Sequence, residues 1–336
     1  NEASVDFDID GIATINWSGM SKQITDVTPN VDGTKSTGNN VQAKPFASAA
    51  NATSLRSNTG GYVPGDVYLE TDNEDTLYVA YIGNRKDNCY DLKIISSKLN
   101  EKYLNFEPFY QTSNCVDKNN NHGFWAHQGA GGRIAKIDNS NLLFTTGDFR
   151  NRPLAQNTES DFGKILKINL QNKKAKVISM GHRNPQGLYY SKSFNFILST
   201  EHGPKGGDEI NINHKPFLNI KNFGWPISSY GEHYYKHYSK EILSEAPLNN
   251  SHRKYGFEEP IKYFDPSIGI SEVIPFNKND SEFLIGAMGN EIKEQDLGIH
   301  YIQLNKKRVK IINHKFIPLN ERVRDMIISK DKKIII

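Results

Sequence analysis

The feature of this sequence that most constrains its fold is a recurring unit of two short apolar segments joined by a polar turn. The copies are Val67–Leu69 with Leu77–Ile82, Arg133–Ile137 with Leu142–Asp148, Gly187–Tyr190 with Phe196–Gly203, Glu272–Phe276 with Glu282–Met288, and Arg324–Ser329 with Ile334–Ile336. Two of them continue into a further strand pair, Gly163–Leu170 with Ala175–Ser179 and Gly298–Leu304 with Val309–Ile312. Four short strands returning about every 40–50 residues predict the blades of an all-β propeller. The alternative, a two-sheet sandwich, does not explain why one unit returns along the chain.

Composition limits the function classes. The chain has 336 residues, a net charge of +3 and a mean hydropathy of −0.62, with basic residues scattered rather than aligned. That pattern argues against nucleic-acid binding, and no apolar run approaches the length of a membrane-spanning helix. Residues 1–60 are either a diverged first blade or a loosely ordered segment. Residues 61–336 are expected to form the propeller, with its last unit cut short.

The sequence contains two cysteines, Cys89 and Cys115, separated by a polar stretch within one predicted blade. They are either disulfide-bonded or two free thiols, and a bond would indicate an oxidising compartment. The chain begins at Asn1 without an initiator Met and ends within an apolar run, which suggests trimming at both ends. A missing signal peptide is therefore uninformative.

Charged and amide residues are densest in three segments that also contain glycine and proline, namely Gly181–Gly187, Glu201–Asn211 and Asn222–Pro226. Because loops that follow strands place polar groups on a rigid scaffold, this region is the predicted active centre. A Gly-Pro pair and an acidic pair within it, Gly203-Pro204 and Asp208-Glu209, offer the carbonyl and carboxylate oxygens that calcium prefers. A carboxylate pair on a solvated turn is the alternative.

The segments GHRNPQG, STEHGPKGGDEIN and NFGWP, in this order, resemble the soluble glucose dehydrogenase family, which includes aldose sugar and glucose/sorbosone dehydrogenases. The similarity covers roughly residues 60–336. It implies a six-bladed propeller of four-stranded antiparallel blades that binds pyrroloquinoline quinone (PQQ) beside calcium. It also implies oxidation of an aldose to its lactone, an external electron acceptor, and a periplasmic or secreted location. The sugar, the acceptor and the oligomeric state are not fixed by the sequence.

The resemblance also assigns roles to individual residues. Arg183 and Asn184 match the Arg-Asn pair that contacts the quinone, and Arg322 and Arg324 match an Arg-x-Arg that clamps it. The calcium ligands are matched by Gly203 and Pro204 through their carbonyls, and by Asp208 and Glu209 as the acidic pair near a structural calcium.

The catalytic base is assigned to His127, which lies two residues before the position at which the family has its histidine. His122, or no catalytic histidine, are the alternatives. Other departures are Thr59 in place of a Gln, Gly289 in place of a Lys with Lys293 nearby, and Phe223 and Phe264 in place of other aromatics.

These departures keep a second function open, a non-catalytic, calcium-stabilised propeller that binds a sugar or a protein partner. A third is a calcium-dependent lactonase on a similar scaffold. The Tyr-rich stretch Tyr230–Tyr238 either lines a sugar site by stacking or covers the propeller rim.

Overall fold

The computed structural model describes most of the chain from residue 67 onward and three short strands before it. The described residues are 2–7, 13–18, 24–27, 67–70, 76–85, 89–98, 104–120, 129–215, 217–235, 238–289, 292–328 and 333–336. The chain forms two compact units, residues 1–118 and residues 119–336.

The first unit contains two antiparallel sheets. The smaller sheet has the strands β1 (Glu2–Phe7), β2 (Ala13–Ser18) and β3 (Ile24–Val27). The larger has β4 (Val67–Glu70), β5 (Thr76–Arg85), β6 (Cys89–Lys98), β7 (Glu107–Gln111) and β8 (Val116–Asp117), with β8 paired to β6. The predicted strand pair over residues 67–82 is confirmed as β4 and β5.

A disulfide joins Cys89 to Cys115 and ties the start of β6 to the segment before β8, with the two Cα atoms 5.4 Å apart. Buried Asp91 in β6 accepts hydrogen bonds from Arg85 Nε at 2.6 Å and from Gln111 Nε2 at 2.7 Å. Of the two alternatives that the sequence left open, a disulfide or two free thiols, the structure shows the disulfide.

Removing this disulfide is expected to destabilise the first unit. The bond closes a loop with a sequence separation of 26, so the double variant Cys89→Ser/Cys115→Ser should lose about 3 kcal/mol of unfolding free energy through chain entropy. Urea unfolding with and without reductant checks this. Reductant should lower the stability of the wild type and leave the variant unchanged, whereas a wild type indifferent to reductant would contradict the prediction.

The second unit contains three sheets of the predicted kind, which we call sheets I, II and III. Sheet I has β9 (Gly131–Asp138), β10 (Asn141–Thr146), β11 (Lys164–Asn169) and β12 (Ala175–Met180), with the short β16 (Lys221–Asn222) added parallel to β12. Sheet II has β13 (Pro185–Ser191), β14 (Phe196–Glu201), β15 (Asp208–His214) and β17 (Lys262–Phe264). Sheet III has β18 (Ile270–Pro275), β19 (Glu282–Met288), β20 (Leu297–Leu304) and β21 (Ile311–Pro318).

A last strand pair, β22 (Ile327–Ile328) with β23 (Ile334–Ile335), follows sheet III. Helices in the described part of the chain are short. They are α1 (Lys240–Glu245) and the 3-10 turns Arg152–Ala155, Arg253–Tyr255 and Ile292–Glu294. No described helix is long and apolar enough to cross a membrane. The all-β prediction and its four-stranded antiparallel unit are confirmed.

The hydrophobic core of the second unit lies between successive sheets. Sheets I and II enclose Leu143, Ile165, Ile178, Leu188, Ile197 and neighbouring side chains. Sheets II and III enclose Leu198, Ile210, Val273, Phe283, Ile302 and others. Because sheet II packs on both neighbours, the three sheets form a series, which a two-sheet sandwich does not provide.

Side-chain hydroxyls link neighbouring sheets at equivalent positions of their second strands. Thr145 Oγ1 donates to the Pro185 carbonyl of the next sheet at 3.4 Å, and Thr200 Oγ1 donates to the Ser271 carbonyl at 2.5 Å. Gly187 permits the close approach, since a Cβ there would lie 2.7 Å from the Ser271 carbonyl oxygen. These contacts join the second strand of each sheet to the first strand of the next.

The loops of the predicted active centre lie at one end of the strands of these sheets. Register pairs place Thr146 opposite Gly131, Glu201 opposite Pro185, and Ala287 opposite Ile270. The loops that follow β10 and β14 and the loops that precede β13 and β18 therefore lie at the same end of the strands, which we call the loop edge.

Candidate functional site

Three loops meet at the loop edge: the loop after β10, the loop before β13 and the loop after β14. Backbone hydrogen bonds join them. The Asp148 amide donates to the Arg183 carbonyl at 2.9 Å, and the His202 amide donates to the Asn184 carbonyl at 3.1 Å. The segments that the sequence marked as dense in polar residues thus lie side by side, together with the loop after β10.

Arg183 and Asn184 have different surroundings. The Arg183 guanidinium donates from Nη1 to the His202 carbonyl at 3.0 Å, and its Cζ lies 5.5 Å from the ring centre of Trp225. The Asn184 side chain accepts from the Gly131 amide at 3.1 Å and from Gln186 Nε2 at 2.9 Å. Arg183 therefore faces the loops, whereas Asn184 fixes the entry to β9.

Arg322 and Arg324 contribute a second group of positive charge. Partial burial lowers the pKa of Arg324, and the charges of Arg322 and Arg133 lower it further. Within the described residues, neither the Arg322 nor the Arg324 guanidinium makes a hydrogen bond or an ion pair. Arg133, by contrast, is ion-paired with Glu272 at 2.5 Å.

His202 lies between the two groups of arginines. Burial lowers the pKa of its imidazole; Asp208 opposes this, and the charges of Arg183 and Arg324 lower it again. Its Nε2 atom is buried and has no hydrogen-bond partner among the described residues. The structure thus brings the predicted Arg183 and Arg324 within electrostatic range of one half-buried imidazole whose pKa is lowered.

Gly203 and Pro204 begin a tight, buried turn after β14. No donor in the described part of the chain reaches the Gly203 carbonyl, and the Pro204 carbonyl accepts only from Ser267 Oγ, at 3.2 Å. The Gly203 carbonyl is thus a buried acceptor without a protein donor, the situation in which a cation is a suitable partner.

Asp208 anchors this turn through backbone amides. Its Oδ1 accepts from the Gly203 amide at 2.9 Å, and its Oδ2 accepts from Ile268 at 3.1 Å and Ile270 at 2.9 Å. Gly207, with φ +72, provides the left-handed bend that returns the chain to Asp208. Asp208 therefore shapes the loop that carries Gly203 and Pro204.

Glu209 belongs to a buried polar chain below these loops. His252 Nε2 lies 2.9 Å from Glu209 Oε1, and Asn211 Nδ2 donates both to Glu209 Oε2 at 3.2 Å and to Glu201 Oε1 at 2.8 Å. Glu201 in turn contacts His182 Nδ1 at 3.0 Å. Each carboxylate is thus paired with an imidazole and shares Asn211 with the other.

The two carboxylates of this chain titrate differently. Burial raises the pKa of Glu209 despite the opposing effect of His252. Burial acts in the same direction on Glu201, but the charge and hydrogen bond of His182 and the Arg183 amide outweigh it, and the pKa of Glu201 is lowered. For His252, Glu209 overcomes the effect of burial and raises the pKa.

A cavity of about 10 Å³ lies beside this chain, enough for roughly one water molecule or ion. Its lining includes Glu201, Glu209, His252, Phe223 and Ser228. No cluster of three or more acidic, His or Cys side chains with metal-binding geometry occurs among the described residues. That Asp208 and Glu209 bind a structural calcium stays a prediction, and their oxygens already accept hydrogen bonds.

The predicted base His127 and its alternative His122 lie outside the described residues. The segment from residue 129 onward is held by backbone hydrogen bonds. The Gly129 carbonyl accepts from the Phe149 amide at 2.8 Å, and the Ala130 carbonyl accepts from the Gly147 amide at 2.6 Å. Residues 129 and 130 are therefore attached to the loop that carries Asp148.

Sequence reasoning gave no role to several residues that lie at this edge. Trp225 Nε1 donates to buried Asp148 Oδ2 at 2.7 Å, and burial raises the pKa of Asp148. Arg152 also contacts Trp225, with its Cζ 5.7 Å from the centre of the Trp225 ring. The only sequence signal was that Trp225 belongs to the NFGWP motif and that Asp148 ends the predicted segment Leu142–Asp148.

A buried lysine supports the loop that carries Arg150 and Arg152. Lys164 in β11 is fully buried, and its Nζ donates to the carbonyls of Leu154 at 2.9 Å, Ala155 at 3.1 Å and Phe162 at 2.6 Å. Burial lowers the pKa of Lys164 to about 7.

Lys164 should make stability depend on pH. Between its folded pKa of about 7 and its ordinary value of 10.5, the unfolded chain binds a proton that the folded chain has released. Wild-type stability should therefore rise with pH across this window, by up to about 1.4 kcal/mol per pH unit. Lys164→Met should have a lower free energy of unfolding than the wild type at every pH, and this free energy should not rise with pH through residue 164. The difference between wild type and variant, measured by urea unfolding, should therefore grow from pH 7 to pH 9. Parallel pH profiles would refute the assignment.

Comparison with known proteins places this geometry in context. The family model described as Glucose / Sorbosone dehydrogenase matches residues 35–336. Aldose sugar dehydrogenase YliI of Escherichia coli is 28% identical over 214 residues, which cover 58% of this chain and 53% of that protein. Quinoprotein glucose dehydrogenase B of Acinetobacter calcoaceticus is 35% identical over 75 residues, 19% of this chain and 15% of that protein.

Among solved structures, a crystal structure of glucose dehydrogenase superposes with a TM-score of 0.67 at 23% identity, covering 82% of this chain and 79% of that one. This likeness shows a shared fold. The matched region spans about half the length of the first curated relatives.

Proposed function

Because the chain belongs to the glucose/sorbosone dehydrogenase family, we propose that it oxidises an aldose sugar at the anomeric carbon to the lactone, using PQQ and calcium. The observation that carries the proposal is the surplus of guanidinium charge around His202. Arg183 and Arg324 both act on this imidazole, and Arg322 lies beside Arg324. These guanidinium groups make no direct ion pair within the described residues, and such a concentration of positive charge is destabilising unless an anion binds to it.

PQQ fits this charge distribution. It is a flat ring system with three carboxylates, and guanidinium groups form bidentate, charge-assisted hydrogen bonds with carboxylates. Arg183, Arg322 and Arg324 would hold it, one guanidinium for each carboxylate. The flat face of Trp225, against which Arg183 already lies, limits the positions that the Arg183 side chain adopts.

Calcium fits the turn at Gly203 and Pro204. The Gly203 carbonyl lacks a protein donor and the Pro204 carbonyl accepts one hydroxyl, so both retain lone pairs for a hard cation. Asp208 keeps these carbonyls in place through its three amide contacts. Bound there, PQQ would supply a two-electron acceptor for a hydride, and calcium would supply a Lewis acid that stabilises negative charge on the quinone.

The sugar must also lose the proton of its anomeric hydroxyl, and we assign this proton to His127. A neutral imidazole suits that transfer at neutral pH. The assignment is supported by the family resemblance and by the attachment of residues 129 and 130 to the loop of Asp148.

We also infer that the complete fold is a ring of six blades and that the protein works in the periplasm or is secreted. Sheets I–III support the first inference, since each has four antiparallel strands, to which sheet I adds the short β16, and since sheet II packs on both sheet I and sheet III. The Cys89–Cys115 disulfide supports the second, because such bonds persist in oxidising compartments.

The direct test is reconstitution. Purified protein supplied with PQQ and calcium should reduce a dye acceptor when given aldoses, and chelation of calcium should abolish the reaction. Lack of activity across a broad panel of aldoses, in protein shown by its absorbance to have bound no PQQ, would remove the proposal.

One observation favours a second candidate, a calcium-stabilised propeller that binds a sugar or a protein without redox chemistry. Where the family resemblance predicts a Lys, the chain has Gly289, whose amide donates to the Asp296 carbonyl at 2.7 Å, and nearby Lys293 is exposed. This candidate would be favoured if calcium raised the melting temperature of the protein and PQQ left it unchanged.

A further inference from the structure

A single buried guanidinium, that of Arg133, connects sheets I, II and III near the loop edge. Arg133 lies in β9 of sheet I and is 8% exposed. Its Nε donates to the Gln186 carbonyl of sheet II at 2.5 Å, and its Nη1 is ion-paired with Glu272 Oε2 of sheet III at 2.5 Å. One side chain therefore joins the first strands of all three sheets.

The same guanidinium also holds the segment 322–326, which contains the Arg-x-Arg pair. Its Nη1 lies 3.1 Å from Asp325 Oδ2, and its Nη2 donates to the Arg324 carbonyl at 3.3 Å. These contacts reach two adjacent residues, one through its side chain and the other through its backbone. Arg133 therefore holds the backbone at the point where the Arg324 side chain begins.

The segment has a second attachment, which reaches sheet III alone. The Val323 amide donates to the Ala287 carbonyl at 2.9 Å, and the Val323 carbonyl accepts from Ser271 Oγ at 2.5 Å. The Val323 side chain is buried, whereas Arg324 beside it is exposed. Arg133 thus adds an attachment on the Arg324 side of Val323, and this attachment extends to sheets I and II.

The donors of Arg133 are engaged inside the protein. Two carboxylates, those of Glu272 and Asp325, are paired with its guanidinium, and two backbone carbonyls accept from its Nε and Nη2. Within the described residues, the Arg324 guanidinium makes no contact of either kind. The arrangement therefore suits Arg133 for holding the segment and leaves ligand binding to Arg324.

We propose that Arg133 is a positioning residue for the cofactor: it fixes the backbone at Arg324 so that the Arg324 guanidinium meets a carboxylate of PQQ. The inference rests on the proposed function, in which Arg324 holds PQQ. A guanidinium suits this task because it is planar and directs five N–H donors in fixed directions, so it engages several acceptors at once. A lysine ammonium carries the same charge as one point on a flexible stem. Exchange of Arg133 for Lys therefore separates position from charge.

The test measures PQQ binding and hydrogen exchange in the wild type and in Arg133→Lys. The lysine retains a positive charge beside Glu272, so the fold should survive. Absorbance titration with calcium present should give a PQQ dissociation constant about 10-fold higher for the variant, because part of the binding free energy is then used to order Arg324. In the cofactor-free protein, hydrogen exchange of the peptide that contains residues 322–326 should be about 10-fold faster in Arg133→Lys.

A double-mutant cycle shows whether Arg133 acts through Arg324. In an Arg324→Gln background, Arg133→Lys should change the PQQ dissociation constant less than about twofold, since no guanidinium remains at residue 324 to be positioned.

The matched control is Arg308→Lys, which removes another buried guanidinium. Arg308 is 6% exposed and donates to the carbonyls of Asp280 and Asn279 at 2.8 and 2.7 Å. It lies between β20 and β21, at the end of sheet III opposite the loop edge. Arg308→Lys should lower the melting temperature and leave both PQQ binding and the exchange of residues 322–326 unchanged.

Several results would overturn the inference. They are a wild-type PQQ dissociation constant in Arg133→Lys, the same fold loss with and without the Arg324 guanidinium, unchanged exchange of residues 322–326, or an equal loss of PQQ binding in Arg308→Lys. Failure of the proposed function gives a different pattern. The wild type would then bind no PQQ, while exchange of residues 322–326 would still be faster in Arg133→Lys, and Arg133 would hold this segment without positioning a cofactor ligand.

Discussion

Replacing Arg183 with Gln is expected to weaken PQQ binding by about 100-fold or more and to reduce sugar oxidation in proportion. The guanidinium contacts Trp225 and donates to the His202 carbonyl, so its position is defined before the cofactor arrives. Loss of a charged, preorganised fork removes attraction for a carboxylate and leaves that carboxylate partly desolvated. The Arg183 backbone contacts with Asp148 and Glu201 do not involve the side chain, so the fold should survive.

The matched control is Arg253→Gln, which removes the same charge from an exposed position. Titration of cofactor-free protein with PQQ, followed by absorbance, gives the dissociation constants. A dissociation constant for Arg183→Gln within threefold of the wild-type value, in a variant of unchanged melting temperature, would show that Arg183 does not hold the cofactor.

Replacing Asp208 with Ala is expected to cost about 4 kcal/mol of unfolding free energy, because three buried amide N–H groups lose their acceptor. Those amides belong to Gly203, Ile268 and Ile270, so the change would also loosen the turn that presents the Gly203 and Pro204 carbonyls. Calcium should then stabilise the variant much less than it stabilises the wild type.

Asp208→Asn is the informative companion variant, since it retains one oxygen that can accept from Ile268 and Ile270 while losing the acceptor for Gly203. Urea unfolding with and without calcium should place it between wild type and Asp208→Ala. An alanine variant as stable as the wild type, with the same response to calcium, would contradict the role given to Asp208.

Strand pairing was predictable because each pair consists of two short apolar segments joined by a polar turn. The pairs over residues 133–148, 187–203 and 272–288 appear as the first two strands of sheets I, II and III. The fourth strand of sheet III was predicted at Val309–Ile312, whereas β21 spans Ile311–Pro318, so only the existence of this strand and two of its residues were predicted correctly. Polar turns interrupt these segments, so none of them sustains the 3.6-residue apolar period of a helix.

The site was predictable only where a motif is contiguous in sequence. Arg183 follows directly from its motif, whereas Arg152 and Trp225 meet across 73 residues, a contact that no local pattern encodes. Similarly, Asp208 was predicted to be a metal ligand because acidic residues near a Gly-Pro pair favour calcium. In the structure its carboxylate oxygens accept hydrogen bonds from backbone amides. Short-range composition does not reveal which partner a carboxylate finds in the folded chain.

The central claim is that the guanidinium groups around His202 form a receptor for a triply anionic quinone beside calcium. Equilibrium titration of the purified, cofactor-free protein with PQQ in the presence and absence of calcium tests it most directly. We expect one PQQ per chain, an affinity that falls when calcium is chelated, and loss of binding in the triple variant Arg183→Gln/Arg322→Gln/Arg324→Gln. Absence of saturable binding by the wild type with calcium present, or undiminished binding by the triple variant, would contradict the account.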